Sequence, residues 1–300
     1  MTHRIAIVVP TYQRNELLFR LLNQLLEATE AYRGRNHYVI HITDSDSANP
    51  AAESLSAHDL RYHVNPGRGF DDNLLSFYGR EADYDYVLSI SDDDLLAPLE
   101  HEPLTVIDQA LESGHDAYLF NHANFVESAA GITITEARHL RDPRWAIDSE
   151  ALRDASLRLL PKHVGLAYSR PLLTRYSSLL PRFRDTLHLY AAPFLLACSA
   201  GTARFVDEPI FLFRCEAHAD GAWSSWKAVF DGLARFLHAL RTTLSESQYS
   251  TAREGFFTHY LGRNAWLRRM VGECEVLASP EEIVERLSTE LEVQLPPWTR

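Results

Sequence analysis

Residues 5–9 read Ile-Ala-Ile-Val-Val, and Pro10 follows. A strand with one face in water alternates apolar and polar residues. An uninterrupted run rich in β-branched side chains suits a strand covered on both faces. Such strands belong to parallel sheets with helices packed above and below, so this one run points to an α/β fold. The next segments agree. Leu17, Leu18, Leu21, Leu22, Leu25 and Leu26 recur at helical spacing, and Tyr38–Ile42 reads as a second strand. Leu60–Val64 reads as a third strand, a helix is expected from about Asp71, and Tyr86–Ile90 reads as a fourth strand. Later strands are expected at Ala117–Asn121 and Ile210–Arg214. Trp226, Val229, Phe230, Leu233, Phe236, Leu237 and Leu240 predict one amphipathic helix.

Three carboxylates, Asp92, Asp93 and Asp94, stand directly after the fourth strand. In open α/β sheets ligands bind outside the carboxyl ends of the strands. Thr11 follows the first strand and Asp44 ends the second, so residues far apart in sequence converge on one crevice. Adjacent acids repel one another. A hard divalent cation, held by one or two carboxylates and by substrate phosphates, would turn that repulsion into a bridge. The plainer alternative is a solvated acidic turn ahead of a helix.

The chain has 300 residues, 46% of them hydrophobic, enough for one large domain or two smaller ones. Its formal net charge of −12 argues against a nucleic-acid reader, which needs a basic footprint. Cys198, Cys215 and Cys274 are widely spaced with no Cys-x-x-Cys, so neither a disulfide framework nor a zinc site is indicated and a cytoplasmic setting is expected. The first residues carry only a short apolar run, unlike a signal peptide. No apolar stretch approaches the ~20 residues of a membrane span. Arg263–Met270 mixes basic and apolar residues and could rest on an anionic membrane surface, although a partly solvated helix is the simpler reading. A weak boundary falls at residues 138–150, which are rich in charge.

IAIVVPTYQR at 5–14, ITDSDSAN at 42–49, NPGRGFDDN at 65–73 and SISDDDL at 89–95 resemble, in order and spacing, family 2 glycosyltransferases of the GT-A fold. The likeness covers about the first 100 residues. The later part is loosely similar to bacterial enzymes of O-antigen and capsule assembly, abequosyltransferase-like proteins among them. The resemblance implies an α/β GT-A (Rossmann-like) fold, a mostly parallel mixed sheet flanked by helices, with a C-terminal helical extension. Residues 1–105 would form the nucleotide-sugar half, 106–220 the acceptor half and 221–300 the helical region. It further implies a metal-dependent, inverting transfer from a nucleoside diphosphate sugar, a pyrimidine base being favoured, to a saccharide or lipid-linked acceptor. Mn²⁺ or Mg²⁺ would be the cofactor.

By position, the resemblance places Pro10, Thr11 and Arg14 in the nucleotide pocket and Asp44 on the base. Asn65, Gly67 and Asn73 would form the wall beside the nucleotide. Asp92 and Asp93 would meet ribose and sugar, with Asp94, Asp92 and His218 at the metal. The family often carries Arg-Asn where this chain has Asp72-Asn73, which leaves the diphosphate-side contact open. The usual Glu-Asp pair of the catalytic base is also absent. Asp185, with His188 as runner-up, stands in its place before an apolar helical run, and the two could share one helix face; Asp185 as an N-cap is the structural alternative. His163, Asn121 and His122 stand beside strands on the acceptor side. Two other readings compete. A sugar nucleotidyltransferase would carry a Gly-rich Arg/Lys signature after the first strand, which VVPTYQRNE lacks, and a sugar-nucleotide binding protein without turnover would also lack the Glu-Asp pair.

Overall fold

A computed structural model describes residues 2–46, 60–65, 69–79, 83–97, 101–137, 163–214 and 226–256. The strands are β1 (Arg4–Thr11), β2 (His37–Asp44), β3 (Leu60–Val64), β4 (Tyr86–Ile90), β5 (Leu95–Leu96), β6 (Ala117–Ser128), β7 (Gly131–Ala137), β8 (Val164–Ser169) and β9 (Ala203–Arg214). They form one sheet in the order β3-β2-β1-β4-β8-β6-β9-β5, with β7 paired to β6. The pairs β3·β2, β2·β1, β1·β4 and β6·β9 are parallel. β8 runs antiparallel to both β4 and β6, so β6 and β9 point the same way as the first four. Six strands therefore bring their carboxyl ends to one rim, and β8 brings its amino end there.

The apolar run of β1 is covered on both faces. Ile5, Ile7 and Val9 pack with α1 (Asn15–Ala31) and α3 (Pro103–Leu111). Ala6 and Val8 belong to the opposite core, with α2 (Phe70–Tyr78), α4 (Arg170–Arg175), α5 (Ala192–Ala200), α6 (Trp226–Arg241) and α7 (Glu246–Phe256). The predicted amphipathic helix is α6, and its Leu233, Phe236, Leu237 and Leu240 are buried. No helix among the described residues is long and apolar enough to cross a membrane. The expected boundary at 138–150 and the Arg263–Met270 stretch lie outside the described residues.

Three strands went unread in the sequence, the short β5, β7 and β8, and β8 is the one that lies inside the sheet. Val164–Ser169 interrupts its apolar pattern at Gly165, whose φ is +66°. Ser89 pairs with Leu166 and Ile90 with Val164, so Gly165 is the extra residue of a bulge. A Cβ there would stand 2.7 Å from the Phe211 ring and 3.1 Å from the Phe120 carbonyl oxygen.

Candidate active site

The rim gathers most of the residues that the sequence singled out. β1 ends in a turn in which Gln13 takes a φ of +55°, and Arg14 follows at the start of α1. The Thr11 hydroxyl donates to Asp92 Oδ2 at 2.8 Å. One Arg14 nitrogen donates to Asp92 Oδ1 and to Asp93 Oδ2, both at 3.1 Å. Ser91 donates to the other Asp93 oxygen at 2.7 Å. The aspartates are 3%, 6% and 0% exposed, so the solvated acidic turn is not what the fold builds. Burial, then the charge of Asp93, holds the Asp92 carboxyl above its usual range, with Arg14 pulling the other way.

Asp44 lies on the neighbouring strand, paired with Thr11. Its side chain is 1% exposed and accepts from the Asp46 N–H at 2.8 Å and from the Tyr62 hydroxyl. The Asn65 N–H bonds to the Asp44 carbonyl at 2.7 Å, and the Asn65 amide nitrogen is buried with no hydrogen-bond partner among the described residues. Asn73, on the first turn of α2, donates to Ser45 Oγ, and its own amide oxygen is buried with no hydrogen-bond partner among the described residues. Thr11, Arg14, Asp44, Asn65, Asn73 and the aspartates thus form one connected rim, with Pro10 buried in β1 beneath them. Tyr12 stands 53% exposed at the same strand end. Gly67 lies outside the described residues.

Asp94 closes the far side. Its Oδ1 accepts from the Arg214 N–H at 3.2 Å, which ties it to the last residue of β9. His218 comes four residues after that strand in sequence and lies outside the described residues. Among the described residues, no three His, Cys, Asp or Glu side chains are grouped to hold a metal ion. Magnesium and manganese do not require such a cage where phosphates complete the shell. Three buried carboxylates, two of them sharing one guanidinium, give a hard oxygen donor set with surplus negative charge. A divalent cation fits it.

Asp185 and His188 differ from expectation. They do not share a helix face. Residues 184–188 form a loop between two short 3₁₀ turns, Leu180–Phe183 and Leu189–Ala191, and both Asp185 (φ +61°) and Leu187 (φ +62°) are left-handed. Asp185 caps no helix and is exposed. The reason lies in α2, whose first turn reaches across. Asp71 accepts the N–H groups of Thr186 and Leu187 at 2.8 Å and of Leu189 at 3.3 Å. Asp72 pairs with Arg184 at 2.8 Å, so an arginine does sit beside this turn, supplied from another segment. The same helix turn holds the β2 end through Asn73, so the loop and the strand-end rim share one scaffold.

His163 is a second link. At the amino end of β8, its Nε2 lies 2.6 Å from Ser89 Oγ, and its ring packs against Phe70 and Tyr190. Burial pushes its imidazole down to about 3, so it is neutral at physiological pH. Tyr190 in turn meets His188, with 3.3 Å between the hydroxyl and Nδ1. Asn121 is occupied elsewhere: its amide donates to the Asp207 carbonyl at 2.8 Å, where the β6·β9 register shifts. His122 is buried against Phe213.

No protein-family model matches the chain, and no curated protein sequence matches it. Solved structures do. S. aureus TarS residues 1–349 aligns over 96% of this chain and 83% of its own at 12% identity, with a TM-score of 0.57. The mannosyltransferase PcManGT from Pyrobaculum calidifontis, in complex with GDP-Man and Mn²⁺, aligns over 96% and 79% at 16% identity, with a TM-score of 0.58. The chain has the GT-A fold. TarS in complex with UDP-GlcNAc aligns with a TM-score of 0.54 at 14% identity.

Proposed function

We propose that this chain is a metal-dependent, inverting glycosyltransferase that moves a sugar from a nucleoside diphosphate sugar to a saccharide or lipid-linked saccharide. The observation that carries the reading is the buried Asp92–Asp94 cluster, bonded through Thr11 and Arg14 to the strand end that holds Asp44. Its place at the carboxyl rim of a GT-A sheet supports it, as do the ligands of the aligned structures, UDP-GlcNAc in TarS and GDP-Man with Mn²⁺ in PcManGT. Asp44 accepts from the base, and Asp92 and Asp93 accept from ribose and sugar hydroxyls. Asp94 and Asp92, with His218, would hold Mn²⁺ or Mg²⁺, which when bound offsets charge on the leaving diphosphate.

Asp185, or His188 in its stead, takes the proton of the acceptor hydroxyl. The acceptor oxygen forms its bond to the anomeric carbon as the carbon–oxygen bond to the diphosphate breaks, and the configuration inverts. The test is calorimetric titration with a panel of nucleoside diphosphates and their sugars, with and without Mn²⁺, followed by donor turnover. A cognate nucleotide bound only with metal, and consumed, supports the reading. Binding without consumption would favour a non-catalytic binding protein, and no binding across the panel would refute both.

A further inference from the structure

We propose that Asp71 is a positioning residue of the transfer step: it holds the backbone of residues 185–189 in a conformation the chain would not otherwise keep, and so sets where Asp185 and His188 stand. The inference rests on the proposed glycosyl transfer. Asp71 itself is 3% exposed and faces the loop rather than the crevice.

Left-handed backbone is costly for residues that carry a Cβ, and aspartate tolerates it better than leucine. Two such residues within three positions persist only where the surroundings determine them. Asp71 supplies the front wall through its three accepted N–H bonds. Thr186 adds a local bond, its hydroxyl accepting the His188 N–H at 3.1 Å. The back wall is α6. A Cβ at Gly232 would stand 2.1 Å from the Thr186 carbonyl oxygen, so only glycine lets the helix approach so closely. Phe236, one turn on, packs against His188 and Phe183. The loop is clamped between the first turn of α2 and helix α6. Burial raises the Asp71 carboxyl to about 6 against the pull of the three N–H groups that donate to it.

The experiment is Asp71→Asn in the full chain, beside Leu187→Gly and the double variant. Asparagine keeps the shape, but its NH₂ group replaces one accepting oxygen. Expected are an unchanged donor affinity, a turnover at least about 10-fold slower, and amide exchange at Thr186, Leu187 and Leu189 at least about 10-fold faster. Glycine adopts positive φ freely, so the double variant should recover at least about 3-fold of the lost rate. Should Asp71→Asn alone not fold, the double variant compared with Leu187→Gly gives the same readings. Wild-type turnover in Asp71→Asn, or donor affinity lost in step with turnover, would overturn the inference. So would a double variant no faster than the single one. If the wild-type chain consumes no nucleotide sugar, the proposed function fails and the catalytic half of this inference with it. Unchanged loop exchange in Asp71→Asn would refute the structural half alone.

Discussion

Gly165→Ala tests the bulge that brings His163 beside Ser89, and its cost can be worked from two contributions. Alanine at φ +66° costs about 1–2 kcal/mol. The added methyl also meets the Phe211 ring at 2.7 and 2.9 Å and the Phe120 carbonyl oxygen at 3.1 Å. Both residues are fully buried, and the carbonyl belongs to a central strand, so neither can yield cheaply. Overpacking of this kind costs about 1–3 kcal/mol, which puts the whole at about 2–5 kcal/mol. Gly114 supplies an internal control, because its φ is +68° but nothing lies within 4 Å of its would-be Cβ. Gly114→Ala should therefore show the backbone cost alone, about 1–2 kcal/mol. Urea unfolding followed by circular dichroism, with midpoints compared at equal slope, measures both. Equal losses in the two variants would refute the packing argument, and a loss below about 1 kcal/mol at Gly165 would refute the bulge assignment as well.

Asp94→Ala should abolish the gain in nucleotide affinity that Mn²⁺ gives while leaving the melting temperature close to wild type, and equal affinities by calorimetry would contradict this. Asp44→Ala should weaken the cognate nucleotide by about 1–3 kcal/mol, because a buried donor on the base loses its acceptor; an unchanged ranking across the nucleotide panel would count against it. Asp185→Asn should bind donor normally and transfer at least about 100-fold more slowly in single turnover, with His188→Gln milder; the reverse ranking would make the histidine the base. Asp71 bears on pH. Its folded-state carboxyl is raised to about 6 from 3.8, so the fold favours the protonated form. That contribution is complete below about pH 4 and is lost as pH rises through about 6, a change of up to about 3 kcal/mol. Urea midpoints of wild type minus Asp71→Asn should fall between pH 4 and 7, and parallel profiles would refute it.

The convergence of the strand ends was legible because its signals are local. Ile5–Val9, Tyr38–Ile42 and Tyr86–Ile90 are apolar with few interruptions, and polar residues stand at their ends, so parallel pairing alone makes Thr11, Asp44 and the aspartates neighbours. The loop at 184–188 was not, because its determinants are long-range. An aspartate in the first turn of a helix reads as a dipole or cap residue, and nothing near Asp71 announces that its acceptors serve backbone more than a hundred residues away. Asp185 and His188 looked helical because an apolar run comes after them. The left-handed turn arises from tertiary bonds that propensity does not register. β8 was missed because the glycine that makes its bulge also breaks its pattern.

The contact between Gly232 and Thr186 also bears on the order in which the molecule is completed during synthesis. Strands β1 to β4, with α1 and α2, are present once residue 90 has been made. The loop at 184–188 is made later, and its back wall later still, with α6. A nascent chain halted after β9 holds the strand-end cluster of Thr11, Arg14, Asp44 and the aspartates and the front wall of the loop but not the helix behind it. On the proposed function, recognition of the donor and execution of the transfer would thus mature at different chain lengths. Helix α6 is the piece whose arrival would complete the second.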